Sequence, residues 1–243
     1  EQPIANWSGA HPLPQHETVA VGRHLLIGGG CPSVYDGHQT HELGYPWAPE
    51  IVDIGVTDRI GSNNLTAGVY YYVAVYEWTD DTGNRHRSPP SLPFSVTLAD
   101  SVDHQFTVRV RTQTLSLKDN RVVYPDAARM QIVIYRTLSD QLQFYRLFCL
   151  DNGGFASAFT VQNTPANDPD TWYVEFEDYL PDDTLLAVGD VLPWPILDAS
   201  GAVTELLPEP VPAACVLAVW QERVWLAQLE DPDVVGYSKA LQR

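Results

Sequence analysis

From Val69 to Trp78 nearly every residue is β-branched or aromatic, and no proline or glycine interrupts the run. Such side chains pack well on a pleated surface, so the pattern predicts a long strand. Odd positions (Val69, Tyr71, Val73, Val75) and even positions (Tyr70, Tyr72, Ala74, Tyr76, Trp78) point to opposite faces, and both sets are apolar. A strand of that kind is expected to be covered on both sides. Asp80-Asp81-Thr82-Gly83-Asn84 then offers the positive φ and side-chain-to-backbone bonding of a reversal, and the return ends in Arg87-Ser-Pro-Pro-Ser91.

Further strand-length runs follow. Phe94–Leu98 is one, and in 106–112 Phe106, Val108 and Val110 alternate with Thr107, Arg109 and Arg111. Met130–Thr137 and Gln143–Leu150 read as a pair across Leu138–Leu142, and in 172–178 Trp172, Val174 and Phe176 share one face. Only Asp182–Val188 has a helical turn's character. Short strands with tight turns predict an all-β fold with an antiparallel β-sandwich region.

The two ends of the chain resemble each other. Val19-Ala-Val-Gly-Arg-His-Leu-Leu-Ile27 and Val216-Leu-Ala-Val-Trp-Gln-Glu-Arg-Val-Trp-Leu-Ala227 are both strand, short charged turn, apolar strand. We therefore expect three zones. Residues 1–49 form a flanking β-propeller-like segment with a Gly44-Tyr-Pro-Trp-Ala-Pro49 connector. Residues 50–190 form an inserted sandwich-like region. Residues 191–243 form a linker, marked by Pro193-Trp-Pro195 and Pro208-Glu-Pro-Val-Pro212, and a returning propeller-like hairpin.

Composition narrows the function classes. With 44% hydrophobic residues among 243, the chain can bury a core. No apolar run approaches the roughly 20 residues of a membrane-crossing helix, so no membrane span is expected. The formal net charge is −17, and residues 151–243 carry 16 acidic against 3 basic side chains. That surface repels phosphate backbones; solubility is the first reading of the charge, and an acidic wall along which DNA passes only as non-specific cargo is the second. The chain starts at Glu1 and its lone methionine is Met130, from which we expect a piece of a longer polypeptide. Cys31, Cys149 and Cys215 form no C-x-x-C pair and are expected to be small buried apolar residues.

The run Tyr70–Ser91, an aromatic strand, an Asp-x-x-Gly-Asn turn and an Arg-Ser-Pro-Pro-Ser exit, resembles a fibronectin type III-like module. Leu26–Gly37 with Glu42–Tyr45, then Ile134-Tyr-Arg136, then Val219–Ala227 with Tyr237-Ser-Lys239, is similar to the order of segments in tail proteins of tailed bacteriophages. The nozzle or tail-tubular type is the specific resemblance, in which a β-propeller carries inserted sandwich-like platforms. It implies a virion structural protein of the tail, a homo-oligomeric ring, contacts with other tail and connector proteins, and a conduit for DNA ejection without catalysis. The alternative is a carbohydrate-binding β-sandwich module of an adhesin or receptor-binding protein, with Trp7, Trp47 and Trp194 as its exposed aromatics.

Candidate chemistry is sparse. Gly28-Gly29-Gly30 precedes no Gly-Lys-Ser/Thr and no helix, so a turn is the better account. His24, His38, His41 and Glu42 are conceivable metal ligands among turn residues. Glu175 and Glu177 stand on one strand face, the raw material of a glycosidase pair but equally of a solvated face. Ser8, Ser33 and Ser88 lack a G-x-S-x-G elbow. The Asp-rich turns (Asp80-Asp81, Asp168-Pro-Asp170, Asp182-Asp183, Asp231-Pro-Asp233) lack the spacing of a calcium loop. We assign no catalytic, cofactor-binding or metal residue, and expect no cofactor.

Overall fold

A computed structural model describes residues 17–29, 31–37, 40–45, 47–58, 65–79, 85–101, 104–112, 118, 130–147, 172–188, 190–194, 196–204, 211, 213–214, 216–221, 223–227 and 235–237. These residues are almost wholly β, in antiparallel sheets, as the alternation and turn chemistry predict. The chain divides into two compact units: residues 1–46 with 211–243, and residues 47–210.

The first unit holds two antiparallel meanders. Strands β1 (Thr18–Val21), β2 (His24–Ile27), β3 (Ser33–Tyr35) and β4 (Thr40–Glu42) pair in sequence order. The β1–β2 reversal uses Gly22 at φ 59°, a backbone that glycine adopts at no steric cost. From the other end of the chain, β13 (Val216–Trp220), β14 (Arg223–Ala227) and β15 (Gly236–Tyr237) pair likewise. The two sheets share one core. Leu26 and Val34 from the first meet Ala214, Leu217, Val224 and Leu226 of the second segment, with Val19, Val21, Leu43 and Val211 packed around them. The Val211 amide donates to the Tyr45 carbonyl at 3.1 Å, joining the two ends of the unit's interrupted chain.

The second unit is sandwich-like. Its long strand β6 (Gly68–Thr79) pairs with β10 (Gln131–Thr137) on one side, and β10 pairs in turn with β11 (Phe144–Arg146). On the other side β6 pairs with β8 (Phe94–Leu98) over its first half and β7 (Arg85–Arg87) over its last residues. A second sheet has the order β12 (Tyr173–Asp178), β9 (His104–Arg111), β5 (Ile51–Asp58). Strand β5 escaped the sequence pattern: Asp53 and Gly55 break its apolar alternation, and its register slips at a bulge between Ile51 and Asp53.

Strand β6 is covered on both faces, as its two-sided apolar run requires. Even positions face the second sheet, where Tyr70 and Tyr72 meet the Phe106 ring edge-on at 5.4 and 5.7 Å. Odd positions Val73 and Val75 join Val133, Tyr135, Phe144, Leu192, Ile196 and Leu197. The segment around Trp194, expected from its prolines to be linker, thus packs on the sheet through three buried aliphatic side chains.

The gap between β7 and β8 solves a local problem. Pro89 and Pro90 have no amide hydrogen to offer β6. The flanking serines pair with β6 instead: Ser88 N and Ser91 N donate to the Tyr76 and Ala74 carbonyls, and their hydroxyls accept from Tyr76 N (2.8 Å) and Ala74 N (3.0 Å). Helix α1 (Asp182–Val188) follows Pro181 with two acidic residues in its first turn, which suits the positive end of the helix dipole.

Candidate functional site

The densest group of buried charge surrounds Arg136, on β10. The even face of β10 points into the sandwich, so this guanidinium is fully buried. Its Nη1 donates to Asp178 Oδ2 (2.9 Å), and its Nη2 to the Leu180 carbonyl (2.8 Å) and Asp182 Oδ1 (3.0 Å). Tyr72 Oη also donates to Asp178 Oδ2 (2.7 Å), Leu180 N donates to Asp178 Oδ1, and the Tyr70 ring lies 5.2 Å from the guanidinium carbon. Burial alone would lower the Arg136 pKa, but Asp178, Tyr72, Asp182 and Tyr70 outweigh it and the pKa rises. Burial raises Asp182 as well, against the amide bond from Ser139 and the charge of Arg136. Burial and the charge of Asp178 drive the Tyr72 phenol well above its ordinary value, and burial and Asp182 lift Tyr70 to about 12. Arg136 Nε is the one guanidinium nitrogen buried without a hydrogen-bond partner among the described residues. The group acts as a clamp holding β10 to the β12–α1 link.

A second cluster lies at the other end of the same sheet, on the odd face. Buried Glu77 accepts from Arg87 Nε (2.9 Å) and lies 3.4 Å from Arg146 Nη2, and Arg146 also faces Asp190 at 3.6 Å. The Tyr135 hydroxyl is buried here without a hydrogen-bond partner among the described residues, and burial raises its pKa.

The carboxylate pair considered for glycosidic chemistry shares one exposed strand face, where Glu175 is engaged in an ion pair. Glu175 pairs with Arg109, whose Nη1 also lies 3.3 Å from Asp53, giving a charge ladder across β12, β9 and β5 on an exposed face. Glu177 is an exposed neighbour on the same face. Phe176 and Val174 turn inward as expected, but Trp172 does not: it precedes the strand and is 81% exposed.

Of the histidine set, His24 lies on β2 opposite Val21. His41 is buried toward the core face of β4, and Glu42 alternates to the other face; His38 lies outside the described residues. No group of three or more His, Cys, Asp or Glu that could hold a metal occurs among the described residues. Gly28 and Gly29 form a turn whose amides donate to Glu17 and Ala214 carbonyls. Ser33 is a strand residue of β3 and Ser88 serves the β6 ladder; Ser8 lies outside the described residues. Of the Asp-rich turns only Asp182-Asp183 is described, at the start of α1. Cys31 is exposed rather than buried, because it sits in the β2–β3 turn, and Cys149 and Cys215 lie outside the described residues.

The chain matches no protein-family model, no curated protein and no solved structure.

The aromatics that the structure gathers are not those the connectors suggested. Trp47 is exposed, Trp194 is partly buried against the core of the second unit, and Trp7 lies outside the described residues. The β13–β15 sheet instead brings Trp220, Trp225 and Tyr237 into one row, with centroids 5.8 and 5.2 Å apart. Trp225 Nε1 donates to the Trp220 carbonyl (3.1 Å), and Arg223 lies over the Tyr237 ring at 5.1 Å. Trp220 and Tyr237 are 60% and 61% exposed. The signal was present in 216–227, where both faces of the strand pair are apolar, but Tyr237 comes from a two-residue strand too short for any periodicity.

Proposed function

We propose that this chain is a structural, non-catalytic component of a bacteriophage tail, of nozzle or tail-tubular type, acting as a subunit of a homo-oligomeric ring around the DNA-ejection conduit. The observation that carries this reading is the interrupted first unit. Two antiparallel meanders from opposite ends of the chain share one core, and a sandwich-like unit is spliced between them. Meanders packed face to face are how propeller blades are built. A propeller carrying an inserted fibronectin type III-like platform is what the segments Tyr70–Ser91 and Val219–Ala227 resemble.

The interior chemistry supports a mechanical role. Buried charge in the second unit goes into a clamp between the two sheets at Arg136 and one between strands of a single sheet at Glu77, which resist shear. The net charge of −17 suits a wall that DNA passes without adhering. For the alternative, a sugar-binding module, Trp47 is exposed while Trp194 is partly buried against the core of the second unit.

The test is composition and image reconstruction of purified tailed particles. Peptides of this chain should be present at a fixed copy number, and its density should form a closed ring about the tail axis. Absence from infectious particles overturns the proposal.

A further inference from the structure

The group around Glu77 holds more hydrogen-bond donors than acceptors to receive them. Arg146 stands directly across from Tyr135 in the β10–β11 ladder, and Arg87 directly across from Glu77 in the β6–β7 ladder. Cross-strand partners share a face, so both guanidinia come to the same end of this sheet. The segment 190–192 lies along β11: Arg146 N donates to the Asp190 carbonyl (2.7 Å) and Leu192 N to the Phe144 carbonyl (3.0 Å). Leu192 packs into the core with Val73, Val75 and Tyr135, and Asp190 lies beside Arg146. The side chains of Arg87 and Arg146 are 23% and 16% exposed, so the cluster is reached from outside. Glu77 accepts from Arg87 Nε at 2.9 Å and from Arg146 Nη2 at 3.4 Å. Among the described residues, Arg87 Nη1 and Nη2 meet no acceptor. Arg146 Nη1 is 3.6 Å from Asp190, too far for a hydrogen bond. The Tyr135 hydroxyl, fully buried and unpartnered among the described residues, completes the set. A buried hydroxyl costs free energy unless a partner meets it.

We propose that Arg87, Arg146 and Tyr135 form a binding site for a small carboxylate. A carboxylate brings acceptors only, on two oxygens in one plane, which is what guanidinium and phenol donors lack here. Glu77 engages one nitrogen of each arginine, which fixes both planar groups and leaves their other donors for the ligand. Of the charges around the Tyr135 hydroxyl, the two guanidinia act more strongly than Asp190 and Glu77, so the field there favours an anion. The two carboxylates of the cluster repel a second negative charge, so a monoanion fits better than phosphate. The site lies wholly within the second unit and is independent of the tail assignment.

Thermal melts of the 243-residue chain at neutral pH, in sodium acetate against sodium chloride of equal ionic strength, test this. Acetate should raise the wild-type midpoint with concentration, as a ligand of the native state does. Tyr135→Phe removes the hydroxyl and keeps the ring. In chloride it should melt at or above the wild type, because the unmet buried hydroxyl is gone. In acetate it should lose most of the rise, and acetate binding followed by NMR should be roughly tenfold weaker, the worth of one hydrogen bond to a charged group. Arg87→Gln, at a residue that reaches solvent, should weaken acetate binding in the same titration. Tyr237→Phe, at an exposed phenol elsewhere, should respond like the wild type. No acetate-dependent rise in the wild type, or an equal rise in Tyr135→Phe, overturns the proposal and leaves the cluster a purely structural ion-pair network. A larger rise in inorganic phosphate than in acetate overturns the carboxylate assignment.

Discussion

At the residue scale, the decisive contrast is between two arginines on neighbouring sheets. Arg136 is sealed among Asp178, Asp182 and Tyr72, whereas Arg109 faces solvent between Glu175 and Asp53. Removing one partner of a buried pair strands the other without solvent, at a cost of about 3–5 kcal/mol. Arg136→Ala should therefore lower the free energy of unfolding from urea titration by that amount, or leave the second unit unfolded. Arg109→Ala should leave the midpoint close to that of the wild type, because water replaces its partners. Equal losses from both would show that the burial difference has no energetic consequence. Gly68 is a second sensitive position. Its φ of 146° is open to glycine, and an added Cβ would meet Ser139 Oγ and Asp140 of the β10–β11 turn. That turn is tied to the start of β6 by Asp140 Oδ1, which accepts from Val69 N, and by Ser139 Oγ, which donates to the Ala67 carbonyl. Gly68→Ala should be destabilising by roughly 1–3 kcal/mol in a thermal melt, the range of strained backbone positions.

At the element scale, the serine-for-ladder substitution beside β6 makes its own prediction. Ser88→Ala or Ser91→Ala leaves the Tyr76 or Ala74 amide buried without its acceptor, which costs about 1–3 kcal/mol each. A Ser→Thr change keeps the hydroxyl and should recover part of the loss in chemical denaturation, whereas a packing effect alone would not be restored. These serines also show what the sequence could and could not convey. The run Arg87-Ser-Pro-Pro-Ser91 is visible as the end of a hairpin, and β6 is unmistakable from eight branched or aromatic residues among the ten of 69–78. That Ser88 and Ser91 stand in for backbone partners depends on β6 lying alongside, which spacing alone does not encode. The same holds for Arg136, whose place in Ile-Val-Ile-Tyr-Arg reads only as a strand position. Its partner Asp178 lies 42 residues onward, brought near by the second sheet. Strand β5 was lost to the pattern for a local reason, the bulge at Val52 and the glycine at position 55. Trp172 was misplaced because alternation was extended one residue past the strand's start.

At the scale of the whole molecule, sheet packing sets the response to alkali. Tyr70, Tyr72, Tyr76 and Tyr135 all have phenol pKa values raised by burial, Tyr70 to about 12 from 10.0. A folded-state pKa above the unfolded one favours the protonated fold. The stability these phenols contribute is therefore complete below pH about 10 and is lost as pH rises through the folded values, for Tyr70 about 12. Phenolate absorbance should show Tyr70, Tyr72, Tyr76 and Tyr135 ionising together with loss of β structure. Smooth ionisation of all tyrosines near pH 10 before unfolding would contradict the burial.

The two-unit division yields a last prediction. Chain passes out of the first unit after residue 46 and re-enters at 211, and the bond from Val211 N to the Tyr45 carbonyl places exit and return side by side. A junction this narrow can be bridged by a few residues, since closing a short loop between adjacent ends costs little entropy. Replacing 47–210 with a short Gly/Ser linker should leave the first unit folded on its core of Leu26, Val34, Leu217, Val224 and Leu226. Residues 47–210 alone should unfold cooperatively, because the Arg136 clamp, the β6 ladder and both faces of that sheet are satisfied from within the segment. Circular dichroism and denaturant titration of the two fragments decide it. If the bridged first unit is unstructured while 47–210 folds, its two meanders require more than each other, and the uncovered Trp220 face is where the missing burial would be sought.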